Sequence, residues 1–304
     1  MRRTRTQIVS ATLFVSMFVS AGLLASACEI DRGESSFPDQ ELVDAGVADT
    51  GTSIDGGIGQ GPGAGTMTGT WLLYHERSTC VLRQEQLTHA TYVVELEQDG
   101  ATVTETRRLC DTQLSEILGM QLEIPDVVLE NIEFVSVDRG VVSTLRVGGT
   151  YVSATEVALW GLDLDEPTTE AIPSEPEDPR VVDSDGDGNP GVTFEVGSDC
   201  RRYQGQRQII KYRGSFTAPN QIDGQSTGVT DVVALGGSKD FCAIAPPVES
   251  NDPHSRFRMV RVDGRGGSFD ADTDGDGQVS CEEAMAVAPL VMDDRESENA
   301  NCQE

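Results

Sequence analysis

The chemistry most legible in this chain lies in twelve consecutive residues, Asp272 to Glu283, which run DTDGDGQVSCEE. Asp272, Asp274 and Asp276 stand at positions 1, 3 and 5 of that stretch, a spacing that lets their oxygens converge on one hard cation. Gly277 follows where the backbone must turn sharply. Gln278 is placed to offer its backbone carbonyl, Ser280 to act directly or through a water, and Glu283 to give both carboxylate oxygens. Val279 is the apolar residue expected to fix the segment to its neighbour. Oxygen donors alone, in this number, point to Ca2+ as the ion. No catalytic or cofactor-binding residue is assigned beside these metal ligands.

A second stretch repeats the acid spacing. Asp183, Asp185 and Asp187 alternate with Ser184 and Gly186, followed by Gly188 and Asn189. Pro190 takes the apolar position and Phe194 stands where the bidentate glutamate belongs. Asp183, Asp185, Asp187 and Asn189 are a second ligand set, completed by a carboxylate from elsewhere or, alternatively, forming an ion-free acidic turn. Carboxylates this crowded repel one another unless a cation sits among them, which favours the first reading.

The segment Asp272–Glu283 resembles the EF-hand loop, including the single-loop forms in secreted bacterial proteins such as dockerins. The resemblance implies calcium as ligand and a helix after Glu283, read here as Glu282–Val287 and ended by Pro289. Nothing before Asp272 has the pattern of an incoming helix, so a structural clip is expected rather than a sensor that re-angles two helices. The Asp183 stretch resembles the shorter DxDGDG loops of thrombospondin-type repeats.

Between and before these loops the chain has the pattern of β-structure. Tyr92, Val94 and Leu96 alternate toward one face, Asp99-Gly100 is a two-residue hairpin signal, and further turn signals stand at Gly148-Gly149, Pro219-Asn220 and Gly236-Gly237. Strands are expected over 101–108, 132–137, 141–147, 150–162, 192–196, 207–216, 221–226, 229–235 and 256–262, and a short helix over 111–118 capped by Asp111. Successive hairpins predict an all-β fold, an antiparallel meander closed as a β-barrel or folded as a sandwich, to hide its edges. Gly69-Thr70-Trp71 resembles the G-x-W motif of lipocalins, in which the tryptophan plugs the closed end of the barrel against a late arginine. Arg256, Arg258 or Arg261 is placed for that part, and a lipocalin-like barrel implies a small apolar ligand. The alternative is an ordinary core tryptophan.

The division expected is 1–27 signal peptide, 28–65 acidic glycine-rich tether, 66–265 β domain with an acidic insertion at 163–190, and 266–304 calcium loop and polar tail. Arg2, Arg3 and Arg5 precede an apolar run ending Ala25-Ser26-Ala27-Cys28, an export signal whose end resembles the bacterial lipobox. Cys28 would carry the lipid, anchoring the protein in the cell envelope as an outer-membrane lipoprotein; cleavage after Ala27 without lipid is the alternative. Cys80, Cys110, Cys200, Cys242, Cys281 and Cys302 remain as disulfide candidates, as expected of an exported chain. Pairing in sequence order, Cys80–Cys110, Cys200–Cys242 and Cys281–Cys302, is one of several connectivities and the one expected here. The combination of lipobox, acidic tether, β domain and DxDGDG loops resembles lineage-restricted lipoproteins of myxobacteria and their relatives.

Composition narrows the partners. The formal net charge is −29 over 304 residues, so nucleic acid and anionic lipid are repelled and divalent cations attracted. The membrane is then met through the lipid anchor only, leaving a cell-surface protein or small apolar ligand as further partners. Catalysis has few parts to work with: the histidines are His75, His89 and His254, and no HExxH pair occurs. Gly224-Gln225-Ser226-Thr227-Gly228 matches the GxSxG pattern of serine hydrolases, with Asp240 and His254 downstream. The residues after Gly228 have a strand pattern, whereas the nucleophile elbow requires a helix. A hydrolase using Ser226 is therefore a remote alternative.

Overall fold

The computed structural model describes residues 65–303 apart from Ser198. The export signal, Cys28 and nearly all of the tether lie outside the described residues. The described chain forms β1 (Gly69–Val81), β2 (Gln84–Asp99), β3 (Thr102–Leu114), β4 (Leu122–Glu123), α1 (Asp126–Glu130), β5 (Glu133–Ser136), β6 (Gly140–Val142), β7 (Thr150–Val152), β8 (Glu156–Trp160), β9 (Val192–Val196), β10 (Arg201–Ala218), β11 (Gln221–Gly237), β12 (Val248–Ser250), β13 (Arg256–Arg261) and α2 (Cys281–Val287).

All pairings are antiparallel, and the sheet returns on itself. Strands β1, β2, β3, β6, β7, β10, β11 and β13 pair each with the next, and β13 pairs back with β1. Chain order and spatial order coincide around this ring, as a run of hairpins predicts. Asp99-Gly100 turns β2 into β3 and Pro219-Asn220 turns β10 into β11, as expected. The first hairpin has no glycine at its turn: Leu82 and Arg83 both take left-handed φ, 51° and 64°. That conformation is unfavourable for either side chain, and it is held by pairing that runs unbroken from Gly69–Leu96 to Val81–Gln84.

Alternate residues of these strands face inward and form the main core. Trp71 and Leu73 of β1 meet Tyr92, Val94 and Leu96 of β2, Phe216 of β10 and Phe257 and Met259 of β13. Trp71 Nε1 donates to the Met67 carbonyl at 2.8 Å, and the Arg261 guanidinium lies 5.8 Å from the Trp71 ring centre. The inward face also carries charge. Glu105 and Arg107 of β3 form an ion pair, Arg107 lies 3.8 Å from Glu156, and Tyr151 and the Ala154 amide donate to Glu105 at 2.6 and 3.0 Å. Buried charges of this kind persist only when paired and hydrogen-bonded. The cavity beside Arg107 and Glu156 measures about 10 Å³, room for about one water.

Several boundaries differ from the sequence expectation, each for a physical reason. Residues 111–114 are not helical: β3 continues to Leu114 because Asp111–Leu114 find partners in Thr91–Thr88 of β2, after a bulge at Thr91/Tyr92. The strands expected over 221–226 and 229–235 are one strand, β11, paired along its length with β10. The stretch 141–147 supplies only two strand residues, Val141 and Val142 of β6, and 150–162 splits into β7 and β8.

The cysteines pair as Cys80–Cys302, Cys110–Cys281 and Cys200–Cys242. Only Cys200–Cys242 follows sequence order. The other two are nested, Cys110–Cys281 inside Cys80–Cys302, because the tail runs back along β1 and the Asp272–Glu283 segment lies on the outer face of β1–β3. There Val279, Ala284, Ala288 and Val291 pack with Leu72, Tyr74, Val93 and Val262 in a second core.

Candidate metal centre

In the C-terminal loop, carboxylate oxygens of Asp272, Asp274 and Asp276 lie within 4.8 Å of one another. The backbone explains how the loop tolerates this. Asp272 Oδ1 accepts from the Gly275 amide at 2.7 Å and Oδ2 from the Gly277 amide at 2.8 Å, drawing the chain into a ring around that carboxylate. Gly277 has φ of 87°, a conformation disfavoured for any residue with a Cβ. Asp276 Oδ1 accepts from the Gln278 amide at 2.8 Å.

Glu283 closes the loop. Its Oε1 accepts from the Thr273 amide and hydroxyl at 2.6 and 2.8 Å, and its Oε2 from the Ser280 amide and hydroxyl, both at 2.9 Å. Ser280 also caps α2, accepting from the Glu283 amide at 3.2 Å, so the two residues form a capping box. The Ser280 amide, then the Thr273 hydroxyl and amide, hold the Glu283 carboxyl down at about 2. One glutamate thus starts the helix and points its charge into the loop. The helix itself occupies Cys281–Val287, one residue longer than expected at its start.

Two fastenings hold this loop to the sheet. Cys281 is bonded to Cys110 of β3, and Arg108 of β3 donates to the Val279 carbonyl at 2.7 Å. Val279 is 3% exposed and packs into the outer core on β1 and β2. The neighbour it was expected to grip is therefore the sheet.

The second loop copies the first half of this geometry. Asp183, Asp185 and Asp187 bring carboxylate oxygens within 4.8 Å of one another. Asp183 accepts from the Asp187 and Gly188 amides at 3.1 and 2.9 Å, and Asp187 from the Asn189 amide at 2.8 Å. The closing half differs. Phe194 is 2% exposed and packs on Trp160 and Val128, and the chain enters β9 where the first loop enters a helix. Thr193 takes over part of the closing role, its amide donating to Asp185 at 2.8 Å and its hydroxyl to Asp187 at 2.7 Å. Asp185 Oδ1 is buried without a hydrogen-bond partner, and burial, reinforced by the Asp187 and Asp183 carboxylates, raises its pKa. A buried carboxylate oxygen of that kind suits a cation as its missing partner.

Ser226 stands elsewhere, inside β11 and facing the ring interior at 2% exposure. Its hydroxyl is 2.7 Å from His75 Nε2, whose Nδ1 is 3.1 Å from the Tyr212 hydroxyl. Burial, with Arg77 and Arg107 nearby, pushes the His75 pKa well down. The flanking glycines answer to packing: a Cβ on Gly224 would meet the Arg213 carbonyl at 2.1 Å, and one on Gly228 the Ile209 carbonyl at 2.4 Å. The strand–turn–helix that a nucleophile elbow needs is not formed here. The partnership of His75 with Ser226 has no local sequence signal, since it joins residues 151 positions apart.

No protein-family model, curated protein or solved structure matches this chain.

Proposed function

We propose that this is a calcium-binding protein of the cell envelope, exported and lipid-anchored through Cys28, whose role is structural or adhesive rather than catalytic. The observation that carries the reading is the convergence of Asp272, Asp274 and Asp276 with a glycine-hinged backbone and a Glu283 carboxylate already turned inward. The ligand set is Asp272, Asp274, Asp276, the Gln278 carbonyl, Ser280 and Glu283. Calcium would neutralise that cluster, as in the EF-hand and dockerin loops it resembles, and lock α2 against β1–β3. A second ion at Asp183, Asp185, Asp187 and Asn189 is supported by the unpartnered Asp185 oxygen. Export is supported by the three disulfides; none of the described helices is long and apolar enough to cross a membrane.

We read the ring of strands as a small up-and-down barrel of lipocalin-like plan, with Trp71 and Arg261 at one end. A carrier of an apolar ligand would need a hollow interior, and here Tyr212, Arg107 and Glu156 leave about 10 Å³ between them. The filled space at this point counts against a carrier there, and the buried setting of Ser226 disfavours the hydrolase.

Calorimetric titration of the EGTA-stripped full chain tests the calcium reading. Saturable calcium binding is expected, with Glu283→Gln removing the tighter component. No heat of binding, or an unchanged isotherm in Glu283→Gln, would sink it.

A further inference from the structure

The calcium reading leaves unused a cleft of about 310 Å³ between the outer face of β1–β3 and α2 with the segment that follows it. Its size falls at the lower end of small-molecule sites. One wall is apolar, made by Met285, Pro289 and Met292; the floor is aromatic, with Tyr74 and His89 stacked at 6.3 Å. Asp111, Asp293 and Asp294 also line it, and no Lys or Arg does. Arg256 and Arg295, close by, are committed to Glu76 at 2.8 Å each.

The polar groups are set rather than loose. The Tyr74 hydroxyl donates to Asp294 Oδ1, and Asp294 Oδ2 lies 4.0 Å from His89 Nδ1. Gln113 donates to Asp111 Oδ2 at 2.9 Å. Burial and then Asp294 raise the Tyr74 pKa, so the phenol remains a donor that fixes the carboxylate. His89 Nε2 is buried, 3.4 Å from Glu76, without a hydrogen bond.

A bare metal ion does not fit this arrangement. Among the described residues, the groups of three acidic, histidine or cysteine side chains that converge on one point are the two aspartate loops, and the cleft's carboxylates are not among them. The acids rim an aromatic and thioether surface, which suits an organic cation with its charge at one end.

We propose that this cleft binds a small organic cation, an amine whose apolar or aromatic body lies against Tyr74, Met285 and Met292 while its ammonium group meets Asp294 and Asp111. An ammonium over an aromatic floor gains from the ring as well as from the carboxylates. The site is separate from the calcium ligands.

The test uses the purified full chain in calcium buffer, titrated with phenethylamine, 2-phenylethanol and phenylacetate, which share a body and differ in charge. Phenethylamine is expected to bind saturably, and the neutral and anionic analogues about tenfold or more weakly. Asp294→Asn and Asp111→Asn should each weaken phenethylamine several-fold, about threefold to tenfold, at unchanged thermal midpoint. Met285→Trp, which fills the cleft from its apolar side, should abolish binding. Absence of phenethylamine binding, equal binding of all three probes, or unchanged affinity in folded Asp294→Asn and Met285→Trp variants would each overturn the proposal.

Discussion

The two aspartate loops share a beginning and differ in their ends. In both, the first aspartate gathers the amides of the fifth and sixth positions, Asp276 and Gly277 in one, Asp187 and Gly188 in the other. In both, the glycine at position 6 is left-handed, with φ of 87° and 85°. Then they part. The C-terminal loop runs into a capped helix whose Glu283 turns back across the loop, while the inner loop runs into β9, where Phe194 is committed to a core. Acid spacing and glycine therefore set the curve of such a loop; the twelfth residue and the element that holds it decide how the loop is closed. The means of attachment differ as well: a disulfide and an arginine hold the first loop to the sheet, whereas the second hangs between β8 and β9.

The largest expected effect comes from removing that attachment. Cys110→Ser with Cys281→Ser should cost about 2–5 kcal/mol of stability, the usual range for a native disulfide in an exported domain. It should also weaken the calcium binding proposed for the C-terminal loop, because Cys281 begins the helix that presents Glu283. Urea unfolding in calcium reads the first effect and calorimetry the second. Unchanged calcium affinity would mean that the glycine turn and capping box organise the loop unaided, and would reduce the contrast between the loops to Glu283 against Phe194.

A smaller effect, of opposite sign in two buffers, separates the loops further. Asp185→Asn removes the carboxylate whose Oδ1 is buried and unpartnered. In EGTA it should raise the thermal midpoint by about 2–4 °C, the shift that roughly 1 kcal/mol gives in a domain of this size. In saturating calcium it should lower the midpoint, since a proposed ligand is lost. A rise in both buffers would mean that the inner loop is an acidic turn without an ion.

How much of this was legible beforehand depends on how local the cause is. The acid spacing, the Asp99-Gly100 turn, the bounds of β9 and the helix after Ser280 are local, and the sequence pattern matches the structure there. The Trp71–Arg261 contact was among the choices that the G-x-W resemblance implied, and the pairing of β13 with β1 brings the two residues together. The nested disulfides were not legible, because the pairings depend on where the tail lies after closure. Asp111 had the look of a helix cap, and strand pairing overrode it. Glu105 and Arg107 alternate with threonines and so look like a solvent face, yet they face inward; only the partners Glu156 and Tyr151 make that tolerable. Leu82-Arg83 has no turn signal at all, and its hairpin is imposed by the pairing on either side.

The smallest expected effect tests the other end of the C-terminal fastening. Glu85 lies on β2 under the tail. Burial would raise its pKa, but the Arg295 guanidinium at 2.6 and 3.0 Å, Ser78 at 2.5 Å, the Glu298 amide at 2.6 Å and Asn301 at 3.1 Å overcome this and bring it from 4.5 to about 2. A carboxyl whose folded pKa is depressed contributes stability that is complete above its unfolded value and is lost as pH falls toward the folded one. The tail's hold should therefore be intact above 4.5 and weaken between 4.5 and 2. Urea midpoints taken from about pH 6 down to about pH 3 should fall more steeply in the parent than in Glu85→Gln, where this carboxyl no longer takes up a proton. Equal slopes would mean that Cys80–Cys302 alone secures the tail. The C-terminal loop would then owe its rigidity to covalent bonds at both ends of its segment, and the inner loop would differ from it in lacking cross-links more than in lacking a glutamate.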